Sequence, residues 1–147
     1  MLQMSTKGRY GTRLMLYLAC NYDNGLSLLK TIAENEEISE GYLEHLIPLL
    51  KSAGLLVSVR GANGGYRLSR DPRTITLREV VETMEGSLVP TNCIDKPLSC
   101  SRSTECVTRD VWNELGEQIK EHLEKISLAD MVQKQKEKSN QTLMYNI

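Results

Sequence analysis

Val59-Arg60-Gly61-Ala62-Asn63-Gly64-Gly65-Tyr66-Arg67-Leu68 joins two short runs able to form strands, Leu56 to Arg60 and Tyr66 to Leu68. Asn63-Gly64 is expected to supply the positive φ angles of a tight turn, so the stretch reads as a β-hairpin. Arg60 and Arg67 stand at its two feet, and a helix-like segment, Ser39 to Ala53, lies just upstream. Winged helix-turn-helix domains hold DNA with such a pair, the helix in the major groove and the wing on backbone or minor groove. Taken alone, the turn fits a structural hairpin with solvated arginines better, because a turn by itself carries no chemistry. The flanking sequence decides between them.

Upstream, Ser5 is a plausible N-cap for a first helix reaching about Asn21, with Leu14 to Cys20 almost wholly apolar. A helix of that kind is expected to be covered on several sides, with Cys20 as a small core residue. Asp23-Asn24-Gly25 should end it. Leu29 to Glu36 reads as a short second helix with Ile32 and Ala33 inward, and Ser39 as the cap of the third. In that third helix Leu43, Leu46, Ile47 and Leu50 repeat at core spacing. The opposite face offers Ser39, Gly41, Glu44 and His45 to base edges, and Lys51 to phosphate. Those residues also suit a plain cap and a solvated face. Pro48 falls mid-helix, where it should bend the chain.

The formal net charge of −1 does not suggest a nucleic-acid binder, but the distribution does. Met1 to Arg13 carries Lys7, Arg9 and Arg13 with no acid, and Lys51 to Arg78 carries six basic residues against Asp71 alone. Acids gather elsewhere, as in Glu34, Glu36 and Glu37. Because phosphate contacts are local and screened, segregation matters more than the total. No apolar run is long enough to span a membrane, and the N-terminus lacks the apolar centre of a signal peptide. A cytoplasmic protein is expected, so the four cysteines point to metal or redox chemistry before disulfides.

Downstream of the wing, Thr76 and Glu79 have capping-box spacing for a helix from Leu77 to Glu85, stopped by Gly86. Ser87 to Glu105 shows no periodicity and reads as a long functional loop. Cys93, Cys100 and Cys106 lie in or just after it with C-x6-C-x5-C spacing. They could converge if the loop folds round a metal centre, and without paired C-x2-C knuckles an iron–sulfur cluster is preferred to zinc. Lys96, Arg102 and Arg109 would offset the charge of thiolates. Free, redox-active thiols are the alternative. Trp112, Leu115, Ile119, Leu123 and Ile126 recur at intervals of 3, 4, 4 and 3, a stripe suited to pairing between two chains or to folding back on its own domain. Ser127-Leu128 should cap a short last helix, followed from Gln133 by a frayed polar tail. No nucleophile stands near a base, so nothing suggests an enzyme.

Ser5-Thr6-Lys7-Gly8-Arg9-Tyr10, Ile38-Ser39 with Tyr42-Leu43-Glu44, Val59-Arg60-Gly61 with Gly64-Gly65-Tyr66, the three-cysteine loop and Trp112 resemble the IscR/NsrR/RirA/CymR family of bacterial transcription regulators. The resemblance runs from Met4 to about Val132. It implies a mainly α fold with a small β-hairpin wing, that is, a winged helix-turn-helix plus a long dimerisation helix. The division it suggests is 1–86 for the DNA-binding domain, 87–106 for the cluster loop, 107–132 for the dimerisation helix with a short helix, and 133–147 for the tail. It further implies a homodimer on a palindromic operator in double-stranded DNA, controlled by a 2Fe–2S or 4Fe–4S cluster on Cys93, Cys100 and Cys106. Lys7, Arg9, the recognition helix from Ser39, Arg60 and Arg67 are the expected DNA contacts. The chain departs from the pattern where the cluster-assembly regulator has a histidine three positions after the third cysteine, here Arg109. It departs again where the nitric-oxide-sensing branch has an aspartate, here Arg9. The fourth ligand is open among Glu105, Asp95, Asp110, His45, His122 and solvent. The cysteine-metabolism branch lacks the three cysteines, which argues against it. A metal-free thiol-switch repressor and an accessory module binding a partner enzyme are the rival functions.

Overall fold

A computed structural model describes residues 3–146. Met1, Leu2 and Ile147, the ends of the first and last expected segments, lie outside the described residues. The fold is mostly helical with a single two-stranded antiparallel hairpin. Helix α1, Thr6–Cys20, begins where the Ser5 hydroxyl accepts the Gly8 N–H at 3.0 Å. Leu14, Met15 and Leu18 are buried, and α1 meets four of the later helices as well as the hairpin. The expected cover on several sides is present. Cys20 is a correction: it is exposed. It follows the buried Leu18 by two positions, and at about 100° per residue that places it on the other side of the helix.

Helix α2, Leu29–Glu36, buries Ile32 and ends in Glu37, which takes a left-handed φ of 53°. Arg13 from α1 closes that end. Its guanidinium donates to the Glu36 carbonyl and, at 3.1 Å, to the Glu36 carboxylate. A cation is favoured there because the last carbonyls of a helix are unsatisfied. After a buried Ile38, Ser39 accepts the Tyr42 N–H at 3.2 Å and starts α3, Glu40–Ser52. Leu43, Leu46, Ile47 and Leu50 are all buried, as their spacing requires. Pro48 lies inside the helix and leaves the Glu44 carbonyl without its usual donor. Gly54, at φ 73°, turns the chain out.

Strand β1, Leu56–Val59, pairs antiparallel with β2, Gly65–Leu68, in the register Leu56↔Leu68 to Val59↔Gly65. Arg60 to Gly64 therefore forms the loop. The positive φ angles expected at Asn63-Gly64 fall instead on Gly61 (112°) and Gly65 (152°). A longer loop relieves Asn63 of a left-handed conformation, which costs a non-glycine residue more. Gly64 is needed for a different reason, since a Cβ there would lie 2.1 Å from the Val59 carbonyl oxygen. Ser27 and Tyr66 exchange two backbone hydrogen bonds of 2.8 Å, adding a one-residue third rung to the wing.

Helix α4, Leu77–Glu85, has the expected capping box between Thr76 and Glu79, and it buries Val80, Val81 and Met84. Leu88 and Val89 are buried immediately after it. The following loop is not wholly irregular. It contains a short helix α5, Asn92–Asp95, and a 3-10 turn, Pro97–Ser99. Helix α6, Val107–Glu124, folds back on α4 and α5, with its buried Gly116 against Val89 and Pro90. Leu115, Ile119, Leu123 and Ile126 are half-buried, whereas Val107, Val111 and Trp112 remain exposed. The stripe is thus only partly covered within the chain. Helix α7 runs Leu128–Tyr145, so the frayed tail expected from Gln133 is helix as far as Tyr145. A Ser127–Asp130 capping box nucleates it, and it is anchored by buried Leu128 and packed on α1.

Gly64→Ala should displace the Arg60–Gly64 loop and lower stability by roughly 1–3 kcal/mol. Asn63→Ala should stay within about 0.5 kcal/mol. Urea midpoints for both variants check the pair.

Candidate nucleic-acid interface and cysteine loop

Helix packing selects which cations are available. Of the six basic residues between Lys51 and Arg78, three are committed elsewhere. Arg70 pairs with Glu79 at 2.6 Å, Arg73 with Asp71 at 2.7 Å, and Arg78 with Glu82 and Glu124 at 3.1 and 3.5 Å. Arg13 is likewise held by Glu36. Among the described residues no carboxylate lies within ion-pairing distance of Lys7, Arg9, Lys51, Arg60 or Arg67, all of which are exposed.

Three of these free cations, Lys7, Lys51 and Arg60, line two shallow grooves. One runs between α3 and the wing, lined by Pro48, Lys51, Ser58 and Arg60. The other brings Lys7 of α1 beside Glu44, His45 and Leu49 of α3. Ser39, Gly41, Glu44, His45 and Lys51 are all on the exposed side of α3. Lys51 donates to the Ser58 hydroxyl at 2.7 Å, so its ammonium is tethered to the wing. Arg67 lies within β2 opposite Val57 rather than at the foot of the hairpin, and Arg60 opens its loop. Ser58 and exposed Leu49 were not picked out from the sequence. Leu49 carries the apolar spacing of a core residue and Ser58 the look of an ordinary strand residue. Only the packing reveals the face each occupies. Arg9 and Arg13 flank the Tyr10 ring, 5.7 and 5.4 Å from its centroid, and Tyr10 meets Tyr42 of α3 edge-on at 5.6 Å. This joins the start of α1 to α3.

Three of the four cysteines lie between α4 and the start of α6. Cys93, in α5, lies 3.1 Å from the Thr91 hydroxyl, and its carbonyl accepts from Arg109 Nε at 3.1 Å. Cys100 is exposed. Cys106 is the N-cap of α6. Its thiol is held below the ordinary cysteine range, first by the Thr108 hydroxyl at 3.2 Å and then by the Arg109 backbone N–H, with a smaller contribution from the Arg102 charge. A helix N-terminus favours the thiolate for the same reason it favours other anions. In chemistry the donor set fits a thiolate-bound cluster: three thiols, one acidified, among cations. The arrangement does not gather them, since no group of three or more His, Cys, Asp or Glu side chains is placed to hold a metal ion among the described residues. Of the fourth-ligand candidates, His45 belongs to the α3 groove. His122 sits 16 residues along α6 from Cys106, roughly 24 Å at 1.5 Å per residue. Cys20, at the far end of α1, has its thiol pushed up, chiefly by partial burial and then by Glu36.

A family model, Rrf2, described as an iron-dependent transcriptional regulator, matches residues 4–134. The chain belongs to the Rrf2 family. It is 36% identical over 130 residues to the HTH-type transcriptional regulator CymR of Bacillus subtilis, covering 88% of this chain and 89% of that one. It is also 36% identical over 134 residues to the regulator IscR of Klebsiella pneumoniae, covering 91% and 82%. The solved structure of B. subtilis CymR, described as the global cysteine regulator, superposes with a TM-score of 0.77 at 37% identity, covering 90% of this chain and 98% of that one. That of T. potens IscR gives 0.74 at 42%, covering 90% and 87%. This Rrf2 chain is therefore a transcriptional regulator and not an enzyme. No helix among the described residues is long and apolar enough to cross a membrane.

If the free cations carry phosphate contacts, Arg60→Ala should weaken DNA binding and lower the slope of log affinity against log salt by about 0.9, while Arg73→Ala should change neither. Fluorescence titrations at several salt concentrations separate the two. Thr108→Val should raise the Cys106 pKa and slow its alkylation by iodoacetamide near neutral pH in metal-free protein, with rates followed by mass spectrometry.

Proposed function

We propose that this Rrf2 regulator is a cytoplasmic homodimer that binds a palindromic operator in double-stranded DNA, and that an iron–sulfur cluster held by Cys93, Cys100 and Cys106 controls that binding. The observation that carries the reading is the sorting of cations. Within Lys7–Arg13 and Lys51–Arg78, the cations left without carboxylate partners lie on the α1 start, α3 and the wing, where a winged helix meets DNA. Ser39, Gly41, Glu44 and His45 face base edges in this reading, while Lys7, Arg9, Lys51, Arg60 and Arg67 serve phosphates.

A bound cluster would supply a centre sensitive to oxygen, nitric oxide or iron supply. The chain's own part is to present thiolates. Cys106 is already acidified at the head of α6, Arg109 ties Cys93 to that same helix turn, and Arg102 adds positive charge. The exposed residues Val107, Val111 and Trp112 lie on the first turns of α6, directly after the third cysteine, and suit the dimer contact. Ordering the loop would thereby bear on how the two reading heads are set. A ligand acts on such an equilibrium only by stabilising one arrangement over the other.

The acidified Cys106 thiol favours a second reading, a metal-free thiol switch. Protein purified without oxygen distinguishes the two. Visible absorbance with matched iron and sulfide is expected, and it should be lost in Cys93→Ala, Cys100→Ala and Cys106→Ala while each variant remains dimeric by sedimentation. Colourless protein after attempted reconstitution would overturn the cluster and leave the thiol switch.

A further inference from the structure

The start of α1 packs closely against the end of α4, and this contact joins the two halves of the proposed mechanism. The Glu85 carboxylate, at the last residue of α4, accepts the Ser5 backbone N–H at 3.0 Å and the Ser5 hydroxyl at 2.5 Å, both on the same oxygen. That hydroxyl in turn accepts the Gly8 N–H and caps α1. Two glycines of α1 permit the contact. A Cβ at Gly8 would lie 2.0 Å from the Glu85 oxygen, and one at Gly11 would lie 2.4 Å from the Met84 sulfur. Glu85 thus places a negative charge at the positive end of α1, an electrostatically favourable position.

What lies on either side makes this contact more than a cap. On the α1 side, Lys7 and Arg9 follow Ser5 within four residues and are exposed and unpaired among the described residues. Tyr10 continues the connection to Tyr42 of α3. On the α4 side, Gly86 breaks the helix at φ 80° and the cysteine loop begins. The start of that loop is not slack, because Leu88 is fully buried and Val89 nearly so. Val89 and Pro90 lie against Gly116 of α6, the helix that Cys106 caps. The short segment from Gly86 to Pro90 therefore links the docking surface of α6 to Glu85, and Glu85 contacts the turn bearing Lys7 and Arg9.

We infer that Glu85 is the positioning residue that couples the cysteine loop to the DNA-facing start of α1. The inference rests on the cluster-controlled reading above. When the loop and α6 shift, α4 carries Glu85 with them, and the cap on α1 tightens or lets go. The first turn of α1 then frays or orders, and with it the placement of two phosphate-binding cations.

Operator affinity measured for the cluster-loaded and metal-free forms of wild type, Glu85→Ala and Glu85→Gln tests this, alongside iron content and hydrogen exchange of the amides of residues 5–9. Wild type should show a difference of roughly fivefold or more between its two forms, with matching differences in amide protection. In Glu85→Ala that ratio should fall below about twofold at unchanged iron content, with residues 5–9 unprotected in both forms. Glu85→Gln keeps the accepting oxygen and should retain most of the ratio. A wild-type ratio near one overturns cluster control itself, and the coupling role with it. A wild-type ratio that persists in Glu85→Ala overturns the coupling role alone. Loss of iron from Glu85→Ala also overturns it, by making the carboxylate part of the metal site. If Glu85→Ala does not fold, Ser5→Gly, which removes the hydroxyl while retaining the backbone N–H, should partly lower the ratio, and an unchanged ratio counts against the proposal.

Discussion

The burial of α1 is the constraint on which the rest depends. Leu14 and Met15 are wholly inaccessible and Leu18 nearly so, and α2, α3, α4, α7 and the wing all reach the same helix. Deleting a buried leucine such as Leu14 typically costs about 2–5 kcal/mol, a large share of the stability of a domain of this size. Close approach by α4 is possible because Gly8 and Gly11 present no side chain where Met84 and Glu85 dock. Once α4 is set, α6 has a surface to lie on, and backbone hydrogen bonds from Leu77 to Ile126 and from Leu128 to Ile75 pin the junction of α6 and α7. The α3–wing face thus packs on α1 directly, and the cysteine loop reaches it through α4 and α6.

Much of this was legible in the residue order because the local signals are strong and do not compete. Ser5, Ser39, Thr76 and Ser127 all cap helices with their hydroxyls, and the boundaries of α2 and α4 coincide with those expected from spacing alone. Other features depend on partners that a linear reading does not supply. Asn63-Gly64 is a strong turn signal, yet the loop length chosen by the β1–β2 register moves the left-handed φ angles to Gly61 and Gly65. Cys20 belongs to an apolar run whose length exceeds the width of the buried stripe. The polar residues after Gln133 carry no apolar periodicity, but a capping box and buried Leu128 start a helix that then continues through good helix formers such as Gln, Lys and Glu.

The candidate site was legible in type more than in arrangement. A run of arginines after α3 marks a basic region, but the carboxylates of Asp71, Glu79, Glu82 and Glu124 occupy half of it. Three cysteines in one loop announce thiolate chemistry. That Cys106 heads a helix, with Thr108 and Arg109 around its sulfur, emerges only once the start of α6 is located. Glu85 gave no signal at all, because its partner lies 80 residues away.

The rung between Ser27 and Tyr66 has a consequence for how such a molecule measures its target. The wing is stitched at one edge to the segment leading into α2 and is tethered at the other by Lys51 to α3. Helix and wing therefore move as one gauge of constant span. In the proposed reading, signals arriving from elsewhere in the chain would raise, lower or turn that gauge against a duplex rather than reset the distance between its jaws. The stretch of DNA read by one chain would then belong to the fold, and its occupancy to regulation.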